Sequence, residues 1–576
     1  MIRIRKLQRI CFPPVVLGFL LLSGCEAART GYDLILTGGH VIDGSGNPWF
    51  KADVGIRDGR IVAVGSLDGV DADQVLDVDG RIVAPGFIDL HSHAGEGRRS
   101  LGSEDARDRA APNLIAQGAT TLVVNQDGRS PWPISEQRAT FESIGIGPNA
   151  ILLVGHGRVR SEVMGDDFRR LPTAGELEQM RGLVRQAMED GAYGMSGGHE
   201  YSPMIWSDTD EVAALVAEVA PWDGIYVIHE RSSGPEPMWW WPSQDEPGAP
   251  TMEDSVRETI EVAQRTGVNS VQTHIKARGS HYWGTGQTLV DMIQAARDRG
   301  VTIWADAYSY NTTGTDGNTV LIPPFVRDIA RDEAEAADIE EADYAGVLER
   351  LLASADSALM IRTDVRHEIR RRGGAANLLV LENADASYVG QTLGELADAR
   401  GLDPVEMAIQ LQLEGDATRA GGGRLRGFSL SEDDLAVFYA QPWVATASDA
   451  GITMVGDGTV HPRFYGTFPR RIRRFAMEKG IGTVENAVRT MTSLPAQILG
   501  LRDRGLVREG MRADLVVFDL DGIRDMATAL EPHQYAEGID YVVVNGQMVL
   551  DGGELTGALP GMVITPETAR ARPVVN

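Results

Sequence analysis

The chain is poor in cysteine: its 576 residues contain two, Cys11 and Cys25, both near the N-terminus. The region after Thr30 therefore offers no disulfide, no thiolate metal ligand and no cysteine nucleophile. Positive charge is also short, with 54 Lys and Arg against 82 Asp and Glu and a net charge of −28. That balance excludes a nucleic-acid-binding protein, which needs clustered cations. Past the leader, uncharged runs approaching membrane-spanning length are missing. So are repeats of solenoid or propeller period and long low-complexity segments. Histidine is scarce too, eleven in all, so the places where it does occur carry information.

What is present begins with a leader. Arg3, Arg5, Lys6 and Arg9 precede an uncharged stretch, Ile10 to Leu22, which ends in Leu22-Ser23-Gly24-Cys25. A basic segment followed by a short apolar one reads as a secretory signal. Its small residues ending at a cysteine resemble a bacterial lipobox. That resemblance implies cleavage before Cys25, lipidation of its thiol and an exported domain facing the periplasm or cell exterior. The membrane is then touched only through the lipid anchor at Cys25. A plain secretory signal or a retained anchor helix is the alternative.

The remainder divides by texture. After Thr30, "YDLILTGGHVID", "ADVGIRDGRIVAVG" and "QVLDVDGRIVAPG" are short alternating strands broken by Asp-Gly and Gly-Gly turns. The same texture returns in "ADLVVFDLDG" and "DYVVVNGQMVLDGGELTG". Residues 25–84 and 505–576 are therefore expected to build one small β-sandwich domain from both chain ends. Between them, eight apolar strand candidates alternate with helical patterns and end in polar residues: "GFIDLHSH", "TTLVVNQD", "AILLVGHG", "AYGMSGGHE", "GIYVIHER", "SVQTHIKA", "VTIWADAY" and "WVATASDAG". Eight such units predict a TIM (β/α)8 barrel over 85–504, with a doubly wound open sheet as the other reading. The stretch 323–425 is longer than one unit needs and predicts an insertion.

Six histidines, His91, His93, His156, His199, His229 and His274, stand at predicted strand ends. In a parallel barrel those ends converge on one face, and a cluster of imidazoles with acids is best stabilised by a metal. His91-Ser92-His93 is the sharpest signal, because residues i and i+2 of a strand share a face. "TTLVVNQDG" adds Asp127 at the end of the second strand, as a further ligand or as part of an Asp-Gly turn.

With HxH heading an eight-strand alternation, the sequence resembles the amidohydrolase superfamily. "GAYGMSGG", "VIHERSS", "THIKARG", "SDA", "HPRFYGTFPR" and the long C-terminal match narrow this to a resemblance to the N-acyl-D-amino-acid deacylase (D-aminoacylase) family. The resemblance implies zinc-dependent hydrolysis of the amide of a small N-acyl amino acid, with one or two Zn2+ ions. It implies that His229 and His274 are the tight zinc ligands and that His91 and His93 form a second, weaker site. Asp449 matches the metal-linked general base. Lys276, Tyr308 and Arg463 match the substrate-carboxylate positions, and an arginine can grip a carboxylate with two hydrogen bonds. Where the family usually offers cysteine, this chain has Asp127. It also carries an extra loop, "GPEPMWWWPSQDEPGAP", whose Trp239, Trp240 and Trp241 could wall a pocket, plug a lid or touch a membrane surface. A dipeptidase or cyclic amidase is the nearest rival, though "AYGMSGGHE" lacks the lysine that cyclic amidases use to bridge metals. A non-catalytic metal- or ligand-binding lipoprotein is the rival from another class. The sequence does not fix the oligomeric state.

Overall fold

Two-residue turns shape the chain ends. Asp58-Gly59 (φ 51° and 71°) joins β2 (Phe50–Arg57) to β3 (Arg60–Gly65), the left-handed pair that a tight hairpin requires. The computed structural model describes residues 31–314 and 319–570, so the leader and Cys25 lie outside the described residues. Before this hairpin comes β1 (Tyr32–Val41), and after it β4 (Ala72–Asp77) and β5 (Ile82–Pro85), which pair in parallel with successive stretches of β1.

The eight expected barrel strands follow. They are β6 (Phe87–Asp89), β7 (Ala119–Val124), β8 (Asn149–Gly155), β9 (Gly194–Gly198), β10 (Ile225–His229), β11 (Asn269–Gln272) and β12 (Ile303–Ala307). After the antiparallel pair β13 (Leu378–Asn383) and β14 (Gly423–Gly427) comes the eighth, β15 (Val444–Thr446). Seven neighbouring pairs are parallel in chain order, and a Ser92–Ala450 bridge beyond β6 and β15 closes the ring. The chain builds the expected TIM barrel. Its strands read as near-continuous apolar runs because both faces are covered. Val123, Ile151, Leu153 and Val227 fill the bore, while the alternate residues Leu122, Val124, Leu152 and Val154 face the outer helices.

The covering helices start and stop where local chemistry dictates. Thr251 and Asp254 form a reciprocal capping box at the helix Met252–Thr266, which ends at Gly267 in the left-handed conformation. The helix Gly286–Asp298 buries Leu289, Ile293 and Ala296 on one face. Between β12 and β15, helices Pro324–Ala336, Tyr344–Leu352, Ala355–Arg371, Leu393–Arg400 and Pro404–Glu414 pack with β13 and β14 around a separate apolar core.

The last strands, β16 (Leu515–Phe518), β17 (Ile539–Val544), β18 (Gln547–Asp551) and β19 (Glu554–Leu555), return to the first domain. Antiparallel pairing of β16 with β5 joins both chain ends into one nine-stranded sheet around Leu34, Val54, Ile61, Val83, Leu515 and Val543. Among the described residues no helix is long and apolar enough to cross a membrane.

Candidate active site

Four of the six strand-end histidines meet at the C-terminal mouth of the barrel. His91 and His93 follow β6, His229 ends β10, and His274 follows β11. His91 Nε2 and His93 Nε2 lie 3.3 Å apart, and His229 Nδ1 and His274 Nε2 lie 2.9 Å apart. His156 and His199 do not join them. They pack in a separate buried cluster, where His156 meets Glu211 at 2.8 Å and His199 faces Glu258 at 3.8 Å.

Asp127 and Asp449 complete the ring. Asp127 Oδ1 stands 3.6 Å from His91 Nε2, 3.6 Å from His229 Nδ1 and 3.9 Å from His274 Nε2, and its Oδ2 is 3.6 Å from His93 Nε2. Asp449 Oδ1 is 3.6 Å from His91 and 3.2 Å from His93. Apart from the 3.2 Å contact, these separations are long for hydrogen bonds. They suit atoms sharing a cation, since ligands about 2.0–2.2 Å from zinc sit roughly 3.3–3.6 Å apart. Asp127 Oδ1 is buried and has no hydrogen-bond partner, the kind of orphan a metal would satisfy. The donor set therefore fits a zinc site by chemistry and by geometry.

The backbone is held in uncommon conformations to achieve this. Asp127 (φ 56°), His274 (φ 35°) and Asp449 (φ 51°) all lie in the left-handed region, which costs non-glycine residues energy and is tolerated where surroundings impose it. Asn125 (φ 67°) shares that trait and exchanges two hydrogen bonds with Gln137 at 2.8 and 3.0 Å. Gln126 donates to the Leu90 and Val123 carbonyls. Two of the three polar residues ending β7 thus lock the strand end, and the third is delivered to the cluster. Asp127-Gly128 is also a turn, closed by Arg129 N–H to the Gln126 carbonyl at 3.0 Å, and the Asp127 carboxylate leaves that turn facing the histidines. Asp449 N–H donates to the His91 carbonyl, and His93 N–H to the Ala450 carbonyl, both at 2.9 Å. Barrel closure itself sets Asp449 beside the His-x-His pair.

Each imidazole is aimed by the nitrogen facing away from the ring. His91 Nδ1 meets Thr273 Oγ1 at 2.7 Å, His93 Nδ1 meets Glu96 at 2.8 Å, and His229 Nε2 meets Glu200 at 3.3 Å. His274 Nδ1 lies 3.4 Å from Glu230 and 2.6 Å from Lys276 Nζ. With its Nε2 turned to the cluster, Nδ1 faces Glu230 and Lys276 on the side away from it. Asp306 fixes His274 by accepting from its N–H at 2.7 Å and from Thr273 Oγ1. Burial pushes Asp306 up to about 7. The sequence reading missed Glu96, Glu200, Glu230, Thr273 and Asp306. Glu230 and Thr273 adjoin His229 and His274 in sequence, and that adjacency was the available signal.

Burial alone would raise Asp449. The Arg463 guanidinium, 2.7 Å from its Oδ2, and the neighbouring imidazoles outweigh burial and hold the carboxyl well below its usual range. Asp127 is likewise drawn down to about 2 against burial, by His229, His91, His93 and His274.

Lys276, Tyr308 and Arg463 line the same cavity of about 710 Å3. Each also has an internal partner: Lys276 meets Glu230 at 3.0 Å, Tyr308 donates to the Thr312 carbonyl at 3.0 Å, and Arg463 lies over the Tyr308 ring at 4.7 Å. The three tryptophans do not wall this cavity. Met238 lines it from their loop, while Trp240 and Trp241 pack edge-on against His367 of the insertion at 5.2 and 6.4 Å.

Comparison with known proteins bears on this arrangement. The amidohydrolase family profile matches residues 74–550. An N-acyl-D-glutamate deacylase of Alcaligenes xylosoxydans xylosoxydans is 30% identical, over 89% of this chain and 93% of its own. A D-aminoacylase of the same organism is 29% identical over 93% and 98%. The solved N-acyl-D-glutamate deacylase from Bordetella bronchiseptica, complexed with zinc and a phosphonate mimic of the tetrahedral intermediate, superposes with a TM-score of 0.69 at 28% identity, covering 93% of this chain and all of that one. A D-aminoacylase structure, described by a binuclear metal center with one-metal activation and second-metal attenuation, gives 0.68 at 28% over the same shares. The chain belongs to the amidohydrolase family and, within it, to the N-acyl-D-amino-acid deacylases.

Proposed function

We propose that the protein is a zinc-dependent deacylase that hydrolyses N-acyl-D-amino acids to a carboxylate and the free D-amino acid. The observation that carries this is the ring of His91, His93, Asp127, His229, His274 and Asp449, with the buried, unpartnered Asp127 Oδ1 at its centre, beside three groups suited to a carboxylate. His229, His274 and Asp127 would hold one ion, and His91 and His93 would hold a second. Zinc so held supplies Lewis acidity, polarising an amide carbonyl and acidifying water. Asp449, kept ionised by Arg463, takes the proton of the attacking water and returns it to the departing amine nitrogen. Lys276, Tyr308 and Arg463 receive the amino acid's carboxylate and so place the scissile bond over the ring.

Export as a lipoprotein, anchored at Cys25, is part of this proposal and rests on the basic and apolar leader ending in Leu22-Ser23-Gly24-Cys25. The functional test is turnover of paired N-acetyl D- and L-amino acids with zinc supplied, alongside metal analysis. Cleavage of the D-series is expected, and preference for the L-series would overturn the stereochemical assignment. Bound metal without turnover of any N-acyl amino acid would overturn the activity.

A further inference from the structure

Most cations around the cavity already hold an acid. Arg99 grips Asp457, Arg278 reaches Glu200 at 3.3 Å, Arg372 meets Glu368 at 2.7 Å and Arg463 meets Asp449 at 2.7 Å. Arg129 is different. Among the described residues no carboxylate lies within ion-pair distance of it, and it lines the cavity two residues beyond Asp127. Its guanidinium carbon sits 5.6 Å from the Tyr201 ring centroid, and that ring lies 4.4 Å from the ring of His229. Arg129 is exposed, so this contact is weak, but it biases the guanidinium toward the cavity and leaves its hydrogen-bond donors free.

Its position in the barrel gives this cation a direction. In the strand order β6 to β12 and then β15, β7 stands opposite β11, and β9 stands opposite β15. Arg129 follows β7 and Tyr201 follows β9. Lys276 follows β11 and Arg463 follows β15. The Arg129–Tyr201 pair thus faces the proposed carboxylate site across the ring of histidines. A substrate held there by its amino-acid carboxylate, with its amide over the ring, directs its acyl group at Arg129.

We propose that Arg129 receives a carboxylate at the end of the acyl group, so that the preferred substrates are dicarboxylic N-acyl amino acids of the N-succinyl or N-glutaryl type. This rests on the deacylase reading. Water adds to the amide carbonyl, the C–N bond breaks, the amine takes the proton, and a dicarboxylate leaves with the free amino acid. A second carboxylate on the amino-acid side chain has the same chemistry, and the experiment separates the two sources.

The experiment compares kcat/KM for N-succinyl- and N-acetyl-D-leucine, and for N-acetyl-D-glutamate, in the zinc-loaded wild type, Arg129→Ala and Arg129→Lys. The succinyl-to-acetyl ratio is expected to fall about tenfold in Arg129→Ala, as for a lost charge-assisted pair still open to water. Arg129→Lys keeps part of it. An unchanged ratio overturns the proposal, and so does a fall confined to the glutamate-to-leucine ratio, which would move the second charge to the side chain. If no N-acyl amino acid is cleaved, the deacylase reading itself falls. Calorimetric binding of succinate against acetate then decides the role of Arg129, and equal succinate affinity in wild type and Arg129→Ala overturns it.

Discussion

Asp127 is where the turn and the metal make different demands on one residue. Its backbone at φ 56° suits Asn nearly as well as Asp, because a short polar side chain tolerates the left-handed region. Asp127→Asn therefore keeps the turn and removes the charge. If its carboxylate binds metal, zinc affinity measured by chelator competition falls by more than about 100-fold, beyond the ~10–100-fold typical of residues that only orient a ligand. Unchanged affinity would make Asp127 a turn residue alone. An oxygen donor here is harder than the cysteine usual in the family and is able to bridge two ions. The His-x-His pair was legible because strand periodicity fixes which residues share a face, Asp127 because it ends an apolar strand, and Asp449 only through the family resemblance. The aiming acids were not. Glu200 reaches His229 from the end of β9 and Glu230 reaches His274 from the end of β10, each from the neighbouring strand, so only the barrel brings each pair together. Arg463 also gains a second duty that its motif did not disclose: it holds Asp449, so its loss affects the proton carrier together with carboxylate binding.

The Trp-rich loop after β10 works as an element. Its sequence offered three uses, and the structure shows the reason none was forced: its partner, the helix Ala355–Arg371, lies more than a hundred residues away and belongs to the insertion. Arg371 donates to the carbonyls of Pro237, Met238 and Trp240 at 3.1, 2.9 and 3.4 Å, and its guanidinium lies over the Trp241 ring. Ser243 is bound by Asp364 at 3.0 and 2.6 Å. His367, between Trp240 and Trp241, is lowered to about 4, first by removal of its ring from water and then by Arg371. Free imidazole titrates near ~6.5, so the docked loop favours the neutral ring. Docking is thus fully stable above pH ~6.5 and weakens as pH falls toward about 4, because the released state takes up the proton first. Indole fluorescence and proteolysis within residues 235–250 are expected to report release over that range. In His367→Phe, which keeps an aromatic edge and cannot titrate, the pH dependence disappears. An identical profile in the variant would assign the release to another group.

At the scale of the molecule, both chain ends were legible as one domain, but the β5–β16 pairing that joins them was not, because strand alternation says nothing about partners. The hairpin tips Asp58-Gly59 and Asn545-Gly546 come from opposite ends of the chain and touch. A side chain on Gly546 would place its Cβ 2.7 Å from the Gly59 Cα, at a φ of 85°. The same region holds the barrel from below. Asn149, the first residue of β8, accepts from Asn545 Nδ2 at 2.7 Å and donates to Asp514 at 3.2 Å, while Ala150 bridges to Val563. Strain at the tips should therefore reach the barrel. Gly546→Ala is expected to cost about 1–3 kcal/mol from the clash, beyond the ~1–2 kcal/mol of a left-handed alanine. Gly552→Ala, also at positive φ (58°) but with nothing within 4 Å, incurs only the backbone part and serves as the control. Because the two domains share the Ala150–Val563 bridge and this polar junction, Gly546→Ala should lower one cooperative transition, with far-UV signal and catalytic activity lost together on heating. An early loss of β-signal at full activity would show instead that the terminal domain unfolds apart from the barrel.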